Sequence, residues 1–462
     1  MKHKVVFCFH THDHEYNMGI GFISAFLKQG GTDVDIVVYR EIEGRDPDTP
    51  EDIAKQIIEK MPTVAAFSVM TFNWHRIRRV ISLLRPEFDG LIVVGGYHAI
   101  LAPEEVLAFP GVDVVCTGEG ELPLRELVEH TVMRGGKNPP AIKGMLFRDA
   151  PAGPLREPWL IENLSEYPYM DYDLFDAEGT AGLSEKYMGM LSAAGIFSLP
   201  VITGRGCPYH CTYCSNSALI DRYGGVKRFL RKYDPPSAID HIKGAVRKYK
   251  PSFLELLDET FTLSRKWVTE FCSLYRSEIG LPFSIMSRID TVDDRTVSIL
   301  AESGLKLVFF GIESGDEAYR THYLKRMMSD RTIKEGARLL KRYGISIVTF
   351  NIFGMPFETK ETIRKTYELN EEIEPDAAIP FIYQLFPGTD LARLAYEHHM
   401  APPPPEDRWD YCTPSLDTSE LPAAYVVEAV EEFRKRFGNQ QRVQDLYKRL
   451  QDIAGLVSKS AE

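Results

Sequence analysis

A chain of 462 residues is long enough for two or three domains, each burying its own core. Its formal charge of −12 lacks the basic excess of a general nucleic-acid binder, although charge alone leaves a specific RNA substrate open. With 44% apolar residues and no unbroken apolar run long enough to cross a bilayer, it reads as soluble. Met1 to Phe9 pass straight into strand-like residues without a signal-peptide layout. Seven cysteines, three of them clustered, suit a reducing cytoplasm better than a disulfide framework.

Residues 1–150 alternate short apolar runs with amphipathic stretches. Strands are expected at Val5–Phe9, Val34–Tyr39, Val64–Val69, Leu91–Val94 and Val112–Thr117. Helical spacing joins Met18, Ile20, Phe22, Ile23, Phe26 and Leu27, then Ile53, Ile57 and Ile58, then Ile77, Val80, Ile81 and Leu84. This alternation predicts a doubly wound, Rossmann-like parallel sheet, whose ligands bind beyond the carboxyl ends of the strands. Polar or glycine-rich loops stand at those ends: His10–His14, Thr71–Trp74, Gly95–His98 and Thr117–Glu121. Such glycines can simply serve tight turns, but four loops at one end favour a ligand crevice.

Residues 151–195 hold Pro151, Pro154, Pro158 and Pro168 and no sustained period, so they read as a connector. Their many aromatics would be exposed unless the segment is ordered. The apolar run Leu199–Thr203 then leads into Gly204-Arg-Gly-Cys207-Pro-Tyr-His-Cys211-Thr-Tyr-Cys214. Three thiolates at C-x3-C-x2-C spacing are one short of a tetrahedral structural zinc site or a fully ligated 4Fe–4S cluster. A zinc knuckle completed by His210 or a distant residue is one solution. A 4Fe–4S cluster with one iron left open is the other, and the surrounding pattern favours it.

That run, with the aromatic Tyr213 before its third cysteine, resembles the signature of the radical S-adenosylmethionine (SAM) enzymes, in which the cofactor's amino and carboxylate groups chelate the open iron. The resemblance implies that Cys207, Cys211 and Cys214 hold the cluster and that residues 196–395 form a partial (β/α)6 barrel. Its strands are expected at Val201–Thr203, Phe253–Leu257, Phe283–Met286, Leu307–Phe310, Ile345–Phe353 and Ala378–Leu385. Helices are expected between them, for example Ile239–Lys248, Val292–Ser303 and Thr332–Tyr343, with chemistry at the carboxyl ends of the strands. By the same resemblance, Asp258 and Glu259 after the second strand meet the cofactor's ammonium, although acidic groups there could instead belong to an ordinary helix N-cap, with Thr262 or Ser264 starting the next helix. Arg288 after the third strand faces the methionine carboxylate, or else pairs with Asp290. Gly311-Ile-Glu313-Ser314 matches the family's G-x-E-S loop against the ribose and methionine. Gly354 lies in the Asn351–Thr359 loop that packs on the adenine, and Pro387-Gly-Thr389 completes the pattern.

The amino-terminal loops resemble the cobalamin-binding domain that precedes many such barrels. The matching pieces are Tyr16-Asn17-Met-Gly19, Gly95-Gly96-Tyr-His98-Ala99 followed by Pro103-Glu-Glu105, and Gly118-Glu119-Gly120-Glu121. The resemblance implies that Gly95, Gly96, Gly118 and Gly120 let backbone approach the corrin and its nucleotide tail, with Thr11, Tyr16, Asn17, Gly19, His98 and Glu119 around it. It supplies no axial ligand. The D-x-H-x-x-G loop of histidine-ligated cobalamin proteins is absent after Asp13-His14, and Asn73, Trp74 or His75 could lie beneath the cobalt. Cys8, Cys116, Cys272 and Cys412 are isolated, which disfavours a second cluster and the transfer-RNA methylthiotransferase subfamily.

Residues 396–462 pass through Pro402–Pro405 and Trp409, Tyr411 and Cys412 into two amphipathic helices, Ala423–Phe437 and Val443–Val457, expected to close the open side of the barrel. The expected activity is therefore reductive cleavage of S-adenosylmethionine to a 5′-deoxyadenosyl radical, hydrogen abstraction from an unactivated carbon, and methyl transfer from methylcobalamin. Alternatives are cyclisation, ring contraction or oxidation with the same cofactors, a barrel whose first domain has lost cobalamin, and a non-catalytic electron-carrying module. The expected partners are a small-molecule or natural-product substrate and a flavodoxin or ferredoxin as electron donor.

Overall fold

A computed structural model describes residues 3–11, 16–40, 48–134, 141–148, 157–175, 191, 195–401, 413–438 and 440–460. The chain divides into two compact units, the first built chiefly on Met1–Gly182 and the second on most of the residues from Leu183 onward.

The first unit carries a six-stranded sheet of β1 (Lys4–Thr11), β2 (Asp33–Arg40), β3 (Val64–Ser68), β4 (Leu91–Gly95), β5 (Val114–Cys116) and β6 (Met145–Phe147). The order is β2-β1-β3-β4-β5-β6, and all pairs are parallel except β5–β6. Six consecutive residues of β1 are buried, as expected of a central strand covered on both faces. On one face Val6, Cys8, Ala65, Phe67, Ile92 and Val94 pack with Ile53, Ile57, Ile77 and Ile81 from two helices, Pro50–Glu59 and Trp74–Leu84. The strand order reverses between β1 and β3, which places the ligand crevice of a doubly wound sheet beyond their carboxyl ends. The antiparallel edge strand β6 was not anticipated, because three residues are too few to show a period. The Val112–Thr117 run shortens to Val114–Cys116, since Gly111 turns the chain (φ 97°) and the Thr117 N–H donates to the Gly144 carbonyl.

The connector aromatics are ordered against this unit. Tyr169 packs edge-on to Phe22 at 5.5 Å and Tyr167 lies 5.3 Å from Phe26, both on the helix Met18–Gln29. Asp171 accepts a hydrogen bond from Ser24 and an ion pair from Lys28, each at 2.6 Å.

The second unit is built on a parallel six-stranded sheet of β7 (Ser198–Val201), β10 (Phe253–Leu256), β11 (Phe283–Ser287), β12 (Leu305–Glu313), β13 (Ser346–Phe353) and β14 (Ala377–Ile382). A two-stranded ribbon, β8 (Gly204–Arg205) with β9 (Arg231–Lys232), follows β7. The sheet order β14-β13-β12-β11-β10-β7 has free edges at β7 and β14, which is the partial (β/α)6 barrel. Helices Pro235–Tyr249, Arg265–Glu278, Asp294–Glu302, Asp330–Arg342 and Lys360–Ile373 connect the strands. Asp234, Ser264, Asp293, Ser329 and Thr359 each cap one of them with a side-chain oxygen, a device contributing about 1 kcal/mol apiece. Successive strand side chains alternate between faces. Phe253, Leu307, Phe309, Val348 and Ala377 share a core with Leu446, Leu450 and Ala454, so the helix Gln440–Ser460 packs on that face of the sheet. On the opposite face Ala378, Phe353 and Ile382 pack with Val426, Val430 and Phe433 of the helix Ala423–Phe437. Trp409, Tyr411 and Cys412 lie outside the described residues, as do Asp13 and His14.

Candidate active site

The carboxyl end of β7 delivers the cysteine loop, and Asp258, two residues beyond β10, pins its start. Asp258 Oδ1 accepts the N–H groups of Thr203 at 2.5 Å and Gly204 at 3.1 Å. Its Oδ2 accepts the Thr203 hydroxyl at 2.5 Å and faces Lys232 Nζ at 3.2 Å. These bonds draw Thr203 away from the sheet, so β7 ends at Val201 and not at Thr203. Gly206 (φ 90°) must be glycine, because a Cβ there would stand 2.5 Å from the Phe229 carbonyl oxygen. Glu259 is pushed up to about 7 by burial, with the Asp258 charge adding to the rise and the Gly206 N–H opposing it. Beyond Cys207 the loop is held by Thr212, whose N–H donates to the Leu324 carbonyl at 3.2 Å and whose hydroxyl donates to the Tyr323 carbonyl at 2.6 Å. Cys214 immediately precedes the helix Ser215–Arg222.

Two arginines reach Cys211, and Tyr213 and Glu313 join one of them. Arg288, beyond β11, directs Nη1 to Cys211 Sγ at 3.8 Å. It spends Nε and Nη2 on the two oxygens of Asp290, at 3.0 and 2.8 Å, and lies 3.8 Å from the Tyr209 ring centroid. The pairing with Asp290 anticipated as an alternative is therefore present, and Arg288 is buried. Arg326 Nη1 approaches the same Sγ at 3.8 Å and donates to the Tyr213 hydroxyl at 3.2 Å, while Nη2 donates to the Gly311 carbonyl at 2.6 Å. Tyr213 in turn donates to Glu313 Oε1 at 2.9 Å. Burial raises Glu313, and Arg326, Tyr213 and Arg288 oppose that rise. Glu313 occupies the left-handed region (φ 67°) at a register shift between β12 and β13, a strained position of the kind that collects at functional sites.

Arg326 escaped the sequence reading. Nothing in Tyr323-Leu-Lys-Arg326-Met distinguishes it from its exposed neighbour Lys325, and only the fold brings it back to Cys211. Its segment is tied down by Arg320, which is fully buried: Nη1 donates to the Ser314 carbonyl at 2.7 Å, and Nε and Nη2 reach the Met328 carbonyl at 3.3 and 3.2 Å. Ser314 is fully buried, with its hydroxyl oxygen accepting from the Asp316 N–H at 3.4 Å. Gly354 (φ 80°) stands one strand further round at the end of β13, and its N–H donates to Glu358 Oε2 at 2.6 Å. The other Glu358 oxygen is buried without a partner, and burial pushes this carboxyl up to about 8.

In the first unit the mouth of the β1/β3 crevice is laced by two asparagines. Asn17 caps the helix Met18–Gln29 through Oδ1 and donates from Nδ2 to Ser68 Oγ at 3.3 Å. Asn73 accepts the Met70 N–H at 2.8 Å and donates to the His10 carbonyl at 3.5 Å. Trp74 is buried in the core and packs on His98 and Phe109, with ring centroids 5.9 and 5.5 Å away. His98 places Nδ1 3.3 Å from Thr71 Oγ1 and Nε2 3.4 Å from Glu105. His75 lies beside Arg76, its Nε2 3.1 Å from that guanidinium. Thr11 ends β1, Tyr16 is half-buried and Gly19 is exposed.

The predicted glycines divide into two kinds. A Cβ on Gly96 (φ 94°) would stand 2.6 Å from the Val69 carbonyl oxygen, one on Gly118 2.5 Å from that of Trp159, and one on Gly120 2.8 Å from Ile23. Their smallness is consumed inside the protein. At Gly95 the nearest atom would be Cys116 Cβ at 3.5 Å, ordinary contact, so its bareness is not demanded by packing. Glu119 is likewise engaged, its Oε2 accepting the Ile161 N–H at 2.7 Å.

The B12 binding domain model matches residues 6–128 and the radical SAM superfamily model residues 201–369. An uncharacterized methyltransferase of Pyrococcus horikoshii is 27% identical over 393 residues, spanning 83% of this chain and 79% of that protein. An anaerobic magnesium-protoporphyrin IX monomethyl ester cyclase of Rubrivivax gelatinosus is 26% identical, over 80% of this chain and 65% of that one. The chain is a cobalamin-dependent radical SAM enzyme. Its cofactors are a 4Fe–4S cluster, S-adenosylmethionine and cobalamin. The fold agrees with the radical S-adenosylmethionine methyltransferase TsrM of Kitasatospora setae, solved with cobalamin and the cluster bound: TM-score 0.66 at 18% identity, over 87% of this chain and 80% of that one.

The thiols fit the cluster of a radical SAM enzyme. Burial pushes Cys214 up to about 12 and raises Cys207 too, with the neighbouring sulfurs adding to both. Left alone these groups stay protonated, so they become thiolates when a metal supplies the compensating charge. Among the described residues no three His, Cys, Asp or Glu side chains are gathered to hold a single ion. At the cobalamin end Gly95, whose bareness packing does not demand, and the strand reversal between β1 and β3 fit a planar ligand approaching backbone. No helix among the described residues is long and apolar enough to cross a membrane.

Proposed function

We propose that this enzyme methylates an unactivated carbon of a small-molecule or natural-product substrate. When bound, the reduced cluster gives one electron to the sulfonium of S-adenosylmethionine, and methylcobalamin supplies the methyl group. In this reading Cys207, Cys211 and Cys214 ligate three irons and leave the fourth for the cofactor's amino and carboxylate groups. Tyr213, Gly311, Glu313 and Ser314 shape the wall beside the ribose and methionine. Arg288 offers positive charge to the methionine carboxylate from a guanidinium already oriented by Asp290. Glu259 lies near the expected ammonium; Asp258, saturated by Thr203, Gly204 and Lys232, serves by fixing the cysteine loop. Gly354 presents the backbone of its loop to the adenine, held by Glu358. Residues 1–150, with Gly95 and the loops around Thr11, Tyr16, Asn17, Gly19, Asn73, Trp74, Gly96, His98 and Gly118–Gly120, carry cobalamin. Residues 151–195 connect, 196–395 cleave S-adenosylmethionine, and 396–462 complete the barrel. A cytoplasmic flavodoxin or ferredoxin supplies electrons, and oxygen abolishes activity.

The observation that carries this reading is the meeting of Arg288 and Arg326 at Cys211, in the loop that follows β7, with Tyr213 and Glu313 linked to Arg326 beside it. The methyltransferase relative covering 83% of the chain favours methyl transfer over the other outcomes. The cyclase relative supports a second reading, ring formation with the same cofactors. Product analysis with isotopically labelled methyl separates them. Methyl transfer forms S-adenosylhomocysteine beside 5′-deoxyadenosine and places the label in the product; turnover with 5′-deoxyadenosine alone and an unlabelled product selects the cyclase reading.

A further inference from the structure

The three cysteine sulfurs stand in unequal surroundings. Cys211 alone meets two guanidinium groups, Arg288 Nη1 and Arg326 Nη1, each at 3.8 Å from Sγ. Cys207 meets a neutral hydroxyl instead, Thr260 Oγ1 at 4.0 Å. Both arginines are buried, at 5% exposure each, so their charge acts through protein and not through water. Arg288 is clamped by Asp290. Arg326 is placed by its own backbone, its N–H donating to the Arg320 carbonyl at 2.9 Å, and by the Gly311 carbonyl and Tyr213 hydroxyl. Arg326 Nε is buried without a partner, so the protein alone does not saturate this guanidinium.

We propose that Arg326, together with Arg288, is a redox-positioning residue: two guanidinium hydrogen bonds to the Cys211 thiolate make the cluster easier to reduce. The inference rests on the assignment of the cluster to the three cysteines. Reduction brings one electron from a low-potential flavodoxin or ferredoxin into the cluster, with no bond made or broken, and adds one negative charge. Donors to a ligating sulfur and nearby fixed cations stabilise that added charge more than the oxidised form, which moves the potential upward. A second consequence is mechanical. Arg326 also contacts Tyr213 and Gly311 and pairs with Glu313 Oε1 at 3.7 Å, as Asp290 pairs with Arg288, so the group that tunes the cluster is the one that fixes the G-x-E-S loop.

The test is an anaerobic redox titration of the full-length, reconstituted protein without S-adenosylmethionine. Titanium(III) citrate is the reductant, and the electron paramagnetic resonance signal of the reduced cluster is the readout. R326K keeps a cation but loses the planar fork, and R326Q loses the charge. The midpoint is expected to fall in the order wild type, R326K, R326Q, while exposed Arg393→Gln leaves it at the wild-type value. R326Q with a full iron complement and an unchanged midpoint overturns the proposal. If R326Q takes up no iron, an R326K midpoint equal to wild type overturns it in the same way. Failure of the cluster assignment looks different: the wild-type protein then holds fewer than four irons and gives no such signal.

Discussion

Asp258→Asn separates a structural use of this carboxylate from a cofactor contact. The carboxylate takes three hydrogen bonds from Thr203 and Gly204, on the segment that launches the cysteine loop, and faces Lys232 of the neighbouring strand β9 at 3.2 Å. Asparagine keeps the shape but turns one acceptor oxygen into a donor and removes the charge. A hydrogen bond to a charged group is worth about 1.5–3 kcal/mol, and a broken buried ion pair costs about 3–5 kcal/mol. Lys232 Nζ keeps part of its solvation, with its side chain 21% exposed, and retains the Trp267 ring at 3.7 Å and the Phe261 carbonyl at 3.1 Å. The lower end is therefore appropriate, about 3 kcal/mol in total. At roughly 2–4 °C per kcal/mol this lowers the melting temperature by about 6–12 °C. Anaerobic scanning calorimetry and iron content per chain are the assays, with iron loading falling as the loop loosens. A variant that melts within about 1 °C of wild type, loads iron fully and loses only affinity for S-adenosylmethionine would refute the reasoning and make Asp258 a direct ligand of the cofactor.

Two further substitutions exploit contrasts within the fold. Gly95→Ala folds normally, because its Cβ has room, and loses the visible absorption of bound corrinoid after reconstitution; Gly118→Ala drives a Cβ to 2.5 Å from the Trp159 carbonyl oxygen and melts earlier even without cobalamin. Equal cobalamin binding by Gly95→Ala and wild type would remove that loop from the corrin site. Glu358→Gln reports on pH. Glu358 is raised to about 8 when folded, so its contribution is complete below the unfolded carboxyl value near 4.5 and is lost as pH rises towards 8. The glutamine variant, whose oxygen can accept from Gly354 and Met355 as Oε2 does now, flattens that slope in urea titrations between pH 5 and about 8. Parallel curves would mean that Glu358 is ionised throughout.

How far the sequence speaks depends on whether the information is local. β10 to β14 are apolar runs bounded by turns, and Gly311-Ile-Glu-Ser and the cysteine spacing are contiguous, so all could be read directly. What eluded reading depends on distant partners. Arg326 meets Cys211 across 115 positions. β8 and β9 are two-residue strands too short to carry a period. The structural use of Asp258, one of the two carboxylates expected near the ammonium, is hidden in the same way, since Thr203 lies 55 positions away and its claim on the carboxylate is invisible in Leu257-Asp-Glu-Thr. Gly96, Gly118 and Gly120 look like ligand glycines in a linear motif, yet their crowded neighbours are Val69, Trp159 and Ile23.

The helix Gln440–Ser460 sits on the sheet formed by β7 and β10 to β14, with Leu446 and Leu450 against Phe253, Leu307 and Phe309. A ribosome makes that helix after every strand it covers. Until it emerges, that face of the nascent sheet shows its apolar side chains to water, and the cysteine loop beyond β7 stands on an unfinished base.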